Sequence, residues 1–187
     1  MLEGILPVLG FYLRIVLAIM FAAAAVAKIR NRDEFHGVVR NFRLLPEALD
    51  RAFAATLPWI ELAIAGSLLI GGGLLGIAGF AAAGLLGLFA IAIGINILRG
   101  RKEIDCGCFR QGLKQGLSWL LVARNTVLVA ASLFVAVHPA MSQSTGLASA
   151  AIATAAAAAS ILLYFSVTQL QALWRLPSSK SPIERMG

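Results

Sequence analysis

The sequence predicts an all-α integral membrane protein, a bundle of about five transmembrane helices. Three observations predict it. The 187 residues are 59% hydrophobic and only 13% charged, and the mean hydropathy is +0.85. Soluble domains carry about 25% charged residues, so a soluble fold of this composition could not cover its apolar surface. Several apolar runs reach the roughly 20 residues a helix needs to cross hydrocarbon. The basic residues fall in three blocks that flank those runs.

The first span is expected over 6–27, interrupted by Arg14. No basic stretch precedes it, and it is too long for a signal-peptide core, so it is expected to remain attached as a membrane helix. Segment 28–51 is amphipathic: Phe35, Val38, Val39, Phe42 and Leu45 recur at roughly helical spacing, with Arg40 and Arg43 between them. Such a helix lies along a membrane surface, and Pro46 breaks it. The long apolar run that follows carries one charge, Glu61, and is too long for one crossing. Gly71-Gly72-Gly73 predicts a tight turn within it, giving spans at 54–70 and 74–98. A fourth span over 117–137 holds Arg124 and Asn125 and ends before Pro139. The fifth is expected over 147–170. Residues 1–174 read as one transmembrane domain, and 175–187 as a flexible cytoplasmic tail. Gly72 with Gly76, and Gly79 with Ala83 and Gly87, are spaced four apart, as in close helix contacts within membranes.

The formal charge of +7 would suggest nucleic acid in a soluble chain. Here the charges mark orientation, and the basic–aromatic pattern of a nucleic-acid groove is lacking. Lys28, Arg30, Arg32, Arg40, Arg43 and Arg51 form one block, Arg99, Arg101, Lys102, Arg110 and Lys114 a second, and Arg175, Lys180 and Arg185 a third. With five spans all three fall on one side, which the positive-inside rule makes cytoplasmic, with the N-terminus outside. Trp59, Trp119 and Trp174 fall near the inner boundaries, as in an aromatic belt.

The two cysteines stand in Asp105-Cys106-Gly107-Cys108-Phe109, between the third and fourth spans. A disulfide needs Cα atoms about 4.4–6.8 Å apart, which an i,i+2 pair reaches only if the backbone bends; Gly107 permits that bend. Closing so short a loop restrains little of the unfolded chain, and strained disulfides exchange readily. The pair therefore suits thiol–disulfide exchange better than stapling. Arg101, Lys102, Arg110 and Lys114 favour the thiolate, while Asp105 could orient the turn or accept a proton. The alternatives are two plain thiols in a loop, or a metal site. A closed zinc site takes four ligands, and the chain has two Cys and two His, with His138 at the opposite face.

Ionisable residues within spans are costly and mark function by default. Glu61 lies about eight residues into its span, roughly 12 Å deep, and Arg124 enters the fourth span from the same side. A Glu61–Arg124 pair is expected, with Arg14 within reach of the outer interface or Glu61. Asn96 and Asn125 add hydrogen-bonding groups near the inner boundary, giving one polar cluster beside the cysteine loop. A purely structural salt bridge is the competing reading. No phosphate loop, haem motif or Ser–His–Asp set points to a cofactor.

These residues resemble the methylamine-utilisation protein MauE family, within the DoxX-like membrane proteins. The resemblance rests on Phe21 with Lys28, Phe35, Leu45-Pro46, Leu57-Pro58-Trp59-Ile60-Glu61-Leu62, Asn96-Ile97-Leu98-Arg99-Gly100, the Asp105–Phe109 element and Arg124-Asn125. It covers residues 10–135; Arg110 stands where a glycine is expected. The resemblance implies a four-helix core plus a C-terminal helix in the bacterial inner membrane. It also implies an accessory role in maturation, processing or export of the methylamine dehydrogenase small (beta) subunit, beside a thioredoxin-like MauD-type partner. By carry-over Cys106 and Cys108 form the redox pair, supported by Asp105, Glu61, Asn96, Arg124 and Asn125. The charge pattern puts the cysteines on the cytoplasmic face, whereas that client matures in the periplasm. Electron transfer across the membrane, a loop that re-enters the bundle, or a reversed topology would each reconcile the two. The competing readings are a membrane scaffold or transporter subunit with incidental cysteines, and a metal-binding membrane protein.

Overall fold

The computed structural model describes residues 2–101, 116–143 and 146–174, and these are helical throughout apart from short turns. The helices are α1 (Leu2–Arg30), α2 (Arg32–Phe42), α3 (Glu47–Ile70), α4 (Leu75–Leu98), α5 (Trp119–Val137) and α6 (Leu147–Trp174). Each expected span is a helix, and α1, α3, α4 and α5 are long and apolar enough to cross a membrane. The described apolar part of α6, Leu147–Leu163, is shorter. The expected tail at 175–187 lies outside the described residues.

Leu17, Ala18 and Phe21 of α1 meet Ile64, Ala65 and Leu68 of α3, Leu75, Ala78, Ala82 and Leu86 of α4, and Val135 of α5. This is the four-helix core. Outside it, Ile70, Ile77, Leu120 and Val127 are exposed, an arrangement stable only against hydrocarbon. The helix α6 packs chiefly on α1, where the Tyr12 hydroxyl donates to Ser160 Oγ at 2.9 Å.

The glycine turn is where the sequence put it. Gly71 and Gly72 take φ of 75° and 67°, values that glycine alone adopts without a Cβ penalty, and a single 3-10 turn, Gly72–Leu74, leads into α4. In contrast, α3 begins at Glu47, seven positions before the expected 54. Pro46 stands at its N-cap with φ −60°, and Glu47 and Asp50 occupy its first turn, where acidic side chains favour the helix dipole. These extra turns receive α2. Phe35 is buried against Ala54 and Leu57, and His36 Nε2 lies 3.1 Å from Asp50 Oδ1. The helix expected to lie flat on the membrane is therefore docked on the bundle by part of its apolar face.

Arg14 reaches neither Glu61 nor water. It is buried, and its guanidinium donates to the carbonyls of Leu68, of Leu69 at 2.7 Å, and of Ser142 at 3.2 Å. The last carbonyls of a helix lack partners within it and favour a cation, so Arg14 closes the end of α3 and ties it to the turn after α5. Arg14→Leu is expected to destabilise the protein by about 1–3 kcal/mol through orphaned carbonyls. Arg14→Lys should recover only part, because an ammonium cannot span the fork's geometry. Thermal unfolding of the solubilised protein measures both.

Candidate functional site

The ion pair resolved on Glu61 is with Lys28. The Lys28 ammonium donates to Glu61 Oε1 at 2.7 Å and Oε2 at 2.9 Å, and the two side chains are 2% and 1% exposed. The sequence pointed to Arg124 as the partner of Glu61 and did not offer Lys28. The physical reason is helix adjacency: α1 and α3 pack side by side, so Lys28, two residues before the end of α1, meets a carboxylate 33 positions away. Phe35 and Phe89 present ring faces to the ammonium, with centroids 5.4 and 5.8 Å from it.

Arg124 nevertheless joins the same site. Lys28, Glu61, Arg124 and Asn125 line one small cavity of about 30 Å³ whose remaining wall is apolar, including Phe21, Leu86 and Phe89. That volume suits one or two water molecules. Arg124 Nη2 donates to Asn125 Oδ1 at 3.1 Å, and Asn125 is 1% exposed. Among the described residues, the cavity thus gathers two cations, one carboxylate and one amide.

Asn96 is fully buried, but it bonds its own helix, donating from Nδ2 to Ala92 O at 3.0 Å, and is not among the residues lining that cavity. Its Oδ1 and Asn125 Nδ2 meet no hydrogen-bond partner among the described residues. Buried amide atoms are rarely left so.

Asp105, Cys106 and Cys108 lie outside the described residues. The ends of their segment are described. Gly100 takes φ of 75°, and Arg101 N–H donates to Asn96 O at 3.0 Å. On the return, Leu117 is buried against Ile93 and Ile97, just before α5. The segment is thus anchored at the end of the bundle where Asn96, Arg124 and Asn125 reside. Among the described residues no three His, Cys, Asp or Glu side chains are placed to hold a metal ion. Of the groups gathered here, Lys28 and Phe89 had no site role legible in the sequence. Lys28 read as an orientation charge, and only its place beside Phe21 in the family pattern hinted at more.

Fold and site together define a multi-pass helical membrane protein with a buried charge cluster at one end. Comparison with known proteins places it further. The family model for methylamine utilisation protein MauE matches residues 6–138. Methylamine utilization protein MauE of Paracoccus versutus is 49% identical over 176 residues, covering 94% of each chain. That of Paracoccus denitrificans is 47% identical over 167 residues, covering 89% of each, and that of Methylophilus methylotrophus is 37% identical over 179, covering 95% of this chain and 92% of the other. The chain belongs to the MauE family, in the methylamine utilisation system. No solved structure matches it.

Proposed function

We propose that this protein is an inner-membrane accessory factor for maturation, processing or export of the methylamine dehydrogenase small (beta) subunit, acting by thiol–disulfide exchange at Cys106 and Cys108. The observation that carries the reading is the gathering of Lys28, Glu61, Arg124 and Asn125 around one small cavity at the end of the bundle where the cysteine segment is anchored. A positive environment lowers a thiol's pKa and raises the thiolate population that attacks. In the exchange, one thiolate attacks a disulfide sulfur of its partner, the S–S bond breaks, and a partner thiolate leaves. The second cysteine then resolves the mixed disulfide, leaving Cys106–Cys108 oxidised and the partner dithiol reduced; the reverse sequence oxidises a client. Asp105 would orient the turn or take the thiol proton, and Glu61, Asn96, Arg124 and Asn125 form the supporting polar set. A thioredoxin-like MauD-type protein is the natural exchange partner.

In this reading the basic blocks keep 28–51, 99–114 and the 175–187 tail on the cytoplasmic side, and the N-terminus is periplasmic. Delivery to an exported client then requires electron transfer through the bundle or a loop that re-enters it.

The test is the double variant Cys106→Ser, Cys108→Ser in cells growing on methylamine. The expected result is normal abundance of this protein with loss of active, disulfide-bonded dehydrogenase. Fully active dehydrogenase would overturn the reading and leave the membrane scaffold, which the Lys28–Glu61 pair supports by itself. The scaffold reading expects Glu61→Gln to lower abundance while cysteine changes do little.

A further inference from the structure

A second cavity, about 340 Å³ in volume, lies between α2, α3 and α4 on the other side of Lys28. Its size falls in the range of small-molecule sites, which are mostly apolar with few polar groups. Four phenylalanines, Phe35, Phe42, Phe53 and Phe89, line it, and Lys28 is the only charged residue lining it among the described residues. Leu88 and Ile91 of the membrane-spanning α4 and Leu44 and Leu45 of the turn after α2 all line it and are exposed, so its rim is apolar. Two of the ammonium's three protons go to Glu61. The third has no hydrogen-bond acceptor among the described residues.

We propose that this cavity is a binding site for a membrane-soluble quinone, with the ring among the phenylalanines and one carbonyl oxygen accepting a hydrogen bond from Lys28. Each feature selects for that chemistry. An apolar rim that includes exposed Leu88 and Ile91 of a membrane-spanning helix suits molecules dissolved in the bilayer. Aromatic walls favour a flat ring through offset or edge-to-face contacts over a saturated acyl chain. A single donor in an otherwise apolar chamber matches a ligand with a carbonyl on an apolar body, and rejects sugars, nucleotides and zwitterionic headgroups, whose polar atoms would go unsatisfied. Glu61 balances the ammonium, so the occupant need not be an anion. The amphipathic α2 forms the cover, with Phe35 buried beneath it.

The site is defined without the cysteines and stands apart from the exchange reading. Where both hold, a dithiol gives two electrons and two protons to the bound quinone, leaving a disulfide and a hydroquinone, and the cavity supplies the oxidant the cysteine pair needs.

The experiment uses the full chain in phosphatidylcholine nanodiscs and a photoreactive short-chain benzoquinone. Saturable labelling is expected, competed by unlabelled quinone, with the labelled peptides mapping to α2 and α4. Ala92→Phe, which fills the cavity from α4, should weaken binding by about tenfold or more, whereas Gly84→Ala, in open space on the same helix, should leave it unchanged. Thermal unfolding of each variant separates lost binding from lost fold. Labelling that quinone does not compete, labels that map elsewhere, or a cavity holding phospholipid acyl chain only would overturn the proposal. Binding that persists in the Cys106→Ser, Cys108→Ser protein confirms the site independently of the exchange reading.

Discussion

Lys28→Met is expected to remove most of the folded protein from the membrane, and Glu61→Gln to do the same. Removing one partner of a buried ion pair costs about 3–5 kcal/mol, because the remaining charge keeps its desolvation penalty and loses its compensation. With Lys28 and Glu61 2% and 1% exposed, the penalty falls near the top of that range. Replacing both partners removes both desolvation costs and is often neutral, so Lys28→Met with Glu61→Leu should restore abundance, measured by immunoblot of membranes. If either single variant accumulates to the parental level, the pair is not buried as described. The restored double variant also separates the two functional readings. If the pair only holds α1 to α3, dehydrogenase maturation returns with abundance. If the cluster tunes the cysteine pair, the protein returns and disulfide-bonded dehydrogenase does not.

The helices were legible in the sequence because hydrocarbon imposes a length on apolar runs, and nothing in the fold competes with that requirement. The glycine turn was legible for a local reason: Gly71 and Gly72 adopt positive φ, which the triplet advertised. Partner choice among buried charges was not legible. Depth along a span can be counted from sequence, and it put Glu61 and Arg124 at matching levels, correctly enough that both line one cavity. Which helix stands beside which is a property of the bundle, and α1 places Lys28 against Glu61. Lys28 was masked further by its position, since a lysine at the end of a span reads equally well as a topology signal. Arg14 was misjudged for a similar reason. Hydropathy gives a span its length but not its offset along a neighbour, and Arg14 sits level with the last carbonyls of α3. The apolar face of α2 was visible in its spacing, yet spacing does not say whether lipid or protein covers it. Phe35 is buried against α3, and the rest of that face roofs a cavity.

Gly79→Leu is expected to have an effect of comparable size, through packing rather than charge. A Cβ built at Gly79 would lie 2.8 Å from the Cα, Cβ and N of Ala136, so backbone, not a movable side-chain tip, occupies the space. A Cβ built at Gly76, one turn earlier, would lie 3.5 Å from Ala136 O, in ordinary contact, while Gly84 and Gly87 face nothing within 4 Å. Of the glycines whose spacing suggested a ladder, the one in closest approach is Gly79, in the half of the α4–α5 contact nearer the Gly71 turn. Overpacking costs about 1–3 kcal/mol where side chains can adjust; here whole helices must separate, so Gly79→Ala should fall within that range and Gly79→Leu should exceed it. Gly84→Leu supplies the control, with the same added side chain on the same helix directed into open space. Thermal unfolding in detergent should rank Gly84→Leu near the parent, Gly79→Ala below it and Gly79→Leu lowest. Equal behaviour of the two leucine variants would mean that α4 and α5 do not approach at Gly79. The consequence reaches the opposite end of the bundle, because α4 and α5 also carry the two anchors of the cysteine segment, Arg101 on Asn96 and Leu117 against Ile93 and Ile97. Under the proposed exchange reading, a wedge at Gly79 that leaves some protein folded should therefore lower dehydrogenase maturation further than it lowers abundance, since the anchors diverge with the helices that hold them.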